Sequence, residues 1–120
     1  MSTNQLIIRR ATLNDAPAIF PIIQKAFNEY SRITGQTNLE ALSETVEDIA
    51  FAIQTKAVYI AVLNDIIVGT VRLVIKDDEA YLSRFAVDCN SQNTGIGKSL
   101  MNEVDTYLKK MGVKKVTLHT

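Results

Sequence analysis

Residues 57–87 place the tightest constraint on the fold. Three β-branched and aromatic runs follow one another there, Ala57–Leu63, Ile66–Lys76 and Ala80–Val87. Only short polar segments separate them, the turn Asn64-Asp65 and the turn Asp77-Asp78 with Glu79 after it. Such runs read as strands, and turns this short join them as hairpins. A three-strand antiparallel meander is therefore expected in the middle of the chain.

The flanks follow a different period. Leu6–Arg10 reads as a first strand. Thr12-Leu13-Asn14-Asp15 resembles a capping box, a hydroxyl with a carboxylate three residues on. A helix is expected after it through about Tyr30, with Ile19, Ile22, Ile23, Ala26 and Phe27 at helical spacing. Pro17 suits a first turn, whereas Pro21 is expected to bend the helix. Gly35 closes the element. A second helix is expected over Ser43–Gln54, with Val46, Ile49 and Ile53 on one face. Beyond the meander, Asp88–Gly95 is polar. Ile96–Met111 then carries a helical stripe of Ile96, Leu100, Met101, Val104, Leu108 and Met111. Lys109 and Lys110 suit its C-terminal dipole, and Gly112 suits its end. Val113–His119 alternates into a last strand. The predicted order is β-α-α-β-β-β-α-β.

Composition narrows the function classes. The chain has 120 residues, which suggests one domain, here residues 1–120. Its hydrophobic fraction of 47% and charged fraction of 22% are ordinary for a globular protein. Thirteen basic and thirteen acidic residues cancel, so no global field draws it to nucleic acid or an acidic membrane. Lys114-Lys115 is too short a basic run to change that. Cys89 is the single cysteine, and cysteine and histidine together are too few for a metal cluster. The first residues lack a signal-peptide pattern, and no apolar stretch approaches the roughly 20 residues of a membrane helix. A cytoplasmic protein with a reduced thiol is expected, without metal, nucleic-acid or membrane partners.

The segment most informative about chemistry is Gln92-Asn93-Thr94-Gly95-Ile96-Gly97-Lys98-Ser99, between a strand and a helix. Glycines at a helix start let backbone approach a ligand. The first amides of a helix lack internal partners and sit at the positive end of its dipole, so together they suit phosphates. A P-loop needs a glycine where Gln92 stands, and no acidic Walker B strand is evident. The dinucleotide pattern needs a third glycine where Leu100 stands. The pattern Gln/Arg-x-x-Gly-x-Gly/Ala is met by Gln92, Gly95 and Gly97. An unliganded strand-to-helix turn would account for a lone motif of this kind.

The motif does not stand alone. Phe85-Ala86-Val87-Asp88 before it, Gly97-Lys98-Ser99-Leu100-Met101 after it, and Ile8-Arg9-Arg10-Ala11-Thr12 with Asp15 at the start all resemble the GNAT superfamily of N-acetyltransferases, as does the element order. The resemblance covers nearly the whole chain. Cys89 departs mildly, since a proline often stands there. The resemblance implies an α/β (α+β) fold, a mixed and largely antiparallel sheet flanked by helices. It also implies acetyl-coenzyme A as cosubstrate, with the acetyl group passed directly to an amine in a ternary complex. The alternative is an acetyl-coenzyme A-binding module without turnover, serving in sensing or scaffolding.

By the same resemblance, the cofactor-binding residues are Phe85, Ala86, Val87, Gln92, Asn93, Thr94, Gly95, Ile96, Gly97 and Lys98. The loop amides would hold the pyrophosphate. The strand carrying Phe85, Ala86 and Val87 would splay from the next strand and pair with the pantetheine amides, one N–H polarising the thioester carbonyl. Tyr81 stands where the family often places a base, and Glu79 two residues earlier shares its face unless a bulge intervenes. Packing for Tyr81 and solvation for Glu79 are the competing readings. Ser83 could order a water on that face. Arg84 is expected on the opposite face as a surface charge. Phe27, Glu29, Tyr30 and Arg32 are candidates for the acceptor pocket, with mixed exposure at a helix end as the alternative. His119 receives no role.

The chain departs from the family at its end. The tyrosine that usually acts as general acid lies on a helix beyond the fifth strand, and that helix and two further strands are absent. A fragment of a longer protein is the favoured explanation. Sheet surface near Val113, Val116 and Leu118 is expected to be uncovered, and an open edge would admit a second copy as a homodimer.

Overall fold

A computed structural model describes residues 5–37, 39–91 and 95–118. Five strands form one sheet in the order β1-β2-β3-β4-β5, which is also their order in the chain. They are β1 (Leu6–Arg10), β2 (Ala57–Leu63), β3 (Ile66–Lys76), β4 (Glu79–Val87) and β5 (Lys115–Leu118). The expected meander is β2-β3-β4, antiparallel throughout, and β1 adds to β2 antiparallel. Asn64 and Asp65 both adopt positive φ, 50° and 70°, so the first turn has the twist a two-residue hairpin requires. β5 joins β4 in parallel, Glu79 opposite Lys115 through Leu82 opposite Leu118. A parallel neighbour needs a crossover, and the helix over Ile96–Lys110 provides it.

Helices cover both faces. α1 (Ala16–Thr34) runs four residues past the expected end and continues unbroken through Pro21. The proline lies near the helix start, where the missing N–H removes one bond, to the Pro17 carbonyl. The helix expected over Ser43–Gln54 is α3 (Val46–Thr55), and a short α2 (Glu40–Ser43) that was not expected precedes it. Glu44 and Thr45 between them are extended. Thr45 caps α3, its hydroxyl accepting from Asp48 N at 3.1 Å while the Asp48 carboxylate accepts from Thr45 N at 2.9 Å. That capping box restarts the helix and explains the break. α4 (Ile96–Lys110) ends at Gly112, whose φ is 75°. Met111, expected in the apolar stripe, lies past the helix end and is exposed.

Two apolar clusters hold the layers together. Val71, Leu73, Ala80 and Leu82 of the sheet pack against Ile96, Leu100, Val104 and Leu108 of α4. On the other face Val58, Ile60 and Val62 pack against Ile19, Ile23 and Phe27 of α1 and Ile49 and Ala52 of α3. Each large side chain so buried contributes roughly 1.5–3 kcal/mol. Val116 and Leu118 are exposed as expected, whereas Val113 packs against the α4 cluster. No helix among the described residues is long and apolar enough to cross a membrane.

Candidate active site

β4 is regular up to Ser83 and irregular after it. Lys76, Val74 and Arg72 of β3 stand opposite Glu79, Tyr81 and Ser83, so these three share one face of the sheet. Arg72 then pairs with Ser83 but Thr70 with Ala86, which leaves an extra residue on β4. Arg84 absorbs it, with φ at 53°. This is a β-bulge, and it re-aims the side chains around it. Arg84 is not the surface charge expected on the opposite face. It turns towards Glu44, its side chain only 14% exposed. Phe85 is left over the start of α4.

Gly95, the residue before α4, has φ 84° and ψ 5°, a left-handed conformation that favours glycine. The first helical bond closes onto it, from Ser99 N to Gly95 O at 3.0 Å. The amides of Ile96, Gly97 and Lys98 therefore lie in the first turn, where the helix itself offers no acceptor. That turn holds no acidic residue, and it holds Lys98, exposed. A lysine at the positive end of a helix dipole is unfavourable alone and favourable beside an anion. Gly97 faces β4 closely. A β-carbon placed there would lie 3.2 Å from Phe85 Cζ and 3.7 Å from Val87 Cγ2.

These residues surround one cleft of about 460 Å³. Phe85, Ala86 and Val87 form one wall, Gly95, Ile96, Gly97 and Lys98 the other, and Ala26 of α1 and Ser91 close it. Gln92, Asn93 and Thr94, also singled out in the sequence, lie outside the described residues, as does His119. The volume is within the usual range for small-molecule sites, about 300–1,000 Å³. Among the described residues, β4–β5 pairing ends at Leu82 and Leu118, before Phe85. A second cleft of about 680 Å³ shares Ala26 and Val87 with the first and adds Lys25, Glu29 and Asp88. A third, of about 530 Å³, runs from there past Lys25 to the Arg9–Asp15 pair.

The Glu79–Tyr81 pair is formed, with the Tyr81 hydroxyl donating to Glu79 Oε2 at 2.6 Å. The adjacent carboxylate holds the Tyr81 hydroxyl above the usual phenol range, first by that hydrogen bond and then by its charge. Tyr81 is thus the proton donor of the pair, and Glu79 the acceptor. Neither lines the clefts above, and Tyr81 stands four residues before Phe85, roughly 13 Å along the strand. The candidates near the end of α1 separate. Phe27 is buried in the core between α1 and the sheet, so it is a packing residue rather than a pocket wall. Glu29 lines the second cleft and pairs with Arg32, both exposed on α1. Tyr30 is half-buried.

Sequence reasoning missed the buried cluster of Glu44, Arg72 and Arg84. Arg72 Nη1 and Nη2 donate to Glu44 Oε2 and Oε1 at 2.8 and 3.0 Å. A single arginine within an apolar strand was the available signal for it.

The Acetyltransferase (GNAT) family profile matches residues 19–120, and the chain belongs to that family. No curated protein sequence matches it. Among solved structures, it is similar to the PaiA N-acetyltransferase of Thermoplasma acidophilum, crystallised with coenzyme A, at 19% identity and a TM-score of 0.84. That likeness covers 97% of this chain and 79% of the other. It is similar also to an aminoglycoside acetyltransferase from an uncultured soil metagenomic sample, in complex with sisomicin, at 24% identity and a TM-score of 0.68, over 96% and 77% of the two chains. A GNAT-family acetyltransferase of Staphylococcus aureus Mu50 shares 19% identity at a TM-score of 0.76, over 97% of this chain and 74% of that one. At these identities the likeness establishes the fold.

Proposed function

We propose that the chain binds acetyl-coenzyme A in the cleft between the end of β4 and the start of α4, and moves its acetyl group directly to an amine bound at the same time. The single observation that carries this reading is the meeting of Phe85, Ala86 and Val87 with Gly95, Ile96, Gly97 and Lys98 around one space. The first-turn amides and Lys98 suit the pyrophosphate, and Gly97 leaves room for its approach. The strand wall offers backbone groups to the pantetheine arm. Acetyl-coenzyme A, when bound, supplies an activated acetyl thioester.

The chain's own residues then have two tasks. Backbone N–H groups near the β4 bulge stabilise charge on the carbonyl oxygen as it develops. Coenzyme A leaves as its thiolate, and the proton that the amine releases passes through intervening water to the Glu79–Tyr81 pair, which itself stands outside the clefts, with Glu79 as its final acceptor. We place this activity in the cytoplasm, in keeping with a lone cysteine and an ordinary globular composition.

Titration calorimetry with acetyl-coenzyme A tests the reading, alongside a Gly95→Asp variant and an ATP control. Saturable binding by the wild type, lost in the variant and unmatched by ATP, is expected. No binding by a demonstrably folded chain would refute it. Binding without transfer to any amine would favour a sensing or scaffolding module instead.

A further inference from the structure

The cluster at the β4 bulge carries more positive charge than its structural neighbours balance. The Arg72 and Glu44 side chains are 6% and 9% exposed, and their two-pronged pair is the geometry in which arginine holds a carboxylate best. Arg84 approaches the same carboxylate, its Nε 3.5 Å from Glu44 Oε1. Two guanidinium groups thus share one carboxylate, which leaves a surplus of one positive charge. The Nε atoms of Arg72 and Arg84 are both buried and make no hydrogen bond. Asp48 also feels Arg72, but weakly; it is exposed and already accepts from Thr45 N. Water screens a carboxylate so placed. The Arg84 side chain keeps 14% of its surface, so its outer nitrogens reach solvent beside the bend, where they are free to pair with an anion that the shared Glu44 carboxylate does not supply.

The location selects which anion. Arg84 immediately precedes Phe85, where β4 enters the cleft, and the cluster sits on the α2–α3 side of the sheet, away from α4. A negative group there would be held beside the strand wall but apart from the phosphate-binding amides. We propose that Arg84, buttressed by the Arg72–Glu44 pair, holds a carboxylate of the acceptor, so that the amines acetylated are amino acids. The proposal rests on the acetyl-transfer reading above. Amines without a carboxylate, such as polyamines, would lack this anchor.

The test compares three L-amino acids (methionine, lysine and glutamate) with their α-carboxamides. Binding is measured by calorimetry on the coenzyme A-loaded wild type, Arg84→Gln and Arg84→Lys. All three residues at position 84 are unbranched at Cβ and meet the same left-handed backbone, so backbone strain is matched. At least one acid should bind the wild type about ten-fold or more tightly than its carboxamide, as a lost charge-assisted pair would cause. Arg84→Gln should abolish that preference, and Arg84→Lys should retain part of it. No preference for any acid in the wild type, or a preference that survives Arg84→Gln, would overturn the proposal. If Arg84→Gln does not fold, the wild-type comparison and Arg84→Lys decide. Failure of coenzyme A itself to bind would instead remove the acetyl-transfer reading, and this proposal with it.

Discussion

Gly97→Ala separates the stability of the fold from its ability to hold a ligand. The added β-carbon would sit 3.2 Å from Phe85 Cζ, so the ring must give by a few tenths of an ångström. Phe85 is 36% exposed, and its ring can swing towards solvent. The clash is therefore small. Against it stands the helix preference of alanine over glycine, roughly 0.5–1 kcal/mol in a helix interior and towards the lower end in a first turn. The net expectation is a stabilisation of at most about 0.5 kcal/mol, or a melting temperature higher by up to about 2 °C for a chain of this size. The same methyl occupies space between β4 and the first-turn amides, through which a pyrophosphate must approach. Affinity for acetyl-coenzyme A should fall about ten-fold or more, equivalent to about 1.4 kcal/mol. Thermal melts and calorimetry on one preparation read both quantities. A higher melting temperature with unchanged affinity would mean that these amides do not hold the ligand. A melting temperature lowered by several degrees would mean that Phe85 is fixed, and that the closeness of β4 and α4 is packing rather than a site.

Other outcomes follow from the hydrogen bonds. Glu79 raises the titration of Tyr81, so Glu79→Gln should bring it down towards the ordinary phenol value, read by ultraviolet absorbance; an unmoved titration would contradict the pairing. Arg9 above all, and Thr12 after it, hold Asp15 below the usual carboxylate range. A depressed folded value means that its stabilisation is present above the ordinary carboxylate pKa and lost as pH falls through the folded one. Asp15→Asn should therefore lower stability at neutral pH by roughly 1–2 kcal/mol and flatten the acid limb of stability against pH, and an equally steep acid limb would count against this. Thr45→Ala removes the cap that restarts α3 and should lower stability by about 1 kcal/mol in denaturant titration; a neutral substitution would show that packing alone breaks α2 from α3. Leu100 is fully buried under the sheet, and Leu100→Ala should lower stability by about 2–5 kcal/mol, whereas less than 1 kcal/mol would place α4 outside the core.

The parts of this fold visible in the sequence are those governed by local chemistry. Asn64-Asp65 sets a hairpin by its own backbone preference, and the spacing of Ile96, Leu100, Val104 and Leu108 marks a buried helix face without reference to anything else. The break between α2 and α3 was equally local, and the Thr45…Asp48 capping box records it. The spacing of Val46, Ile49 and Ile53 marks the apolar face of the helix but carries no information about where the helix starts. The bulge at Arg84 is different. Arginine does not favour positive φ, and the irregularity arises from the register of β4 against β3, which no short stretch of sequence encodes. The same pairing brings Arg72 and Arg84 to Glu44 across 28 and 40 positions of chain. Phe27 fitted both a core and a pocket at helical spacing, and only the position of α1 on the sheet decides between them. The walls of the candidate cleft were legible because a glycine-bearing helix start directly follows a strand end.

A titration of the isotope-labelled chain with coenzyme A, followed by amide chemical shifts, locates the bound ligand on the fold. With the ligand between β4 and α4, the largest changes fall at Gly95, Ile96, Gly97 and Lys98, with a second group at Phe85, Ala86 and Val87. Changes centred instead on Arg9, Asp15 and Lys25, along the third cleft, would contradict that placement.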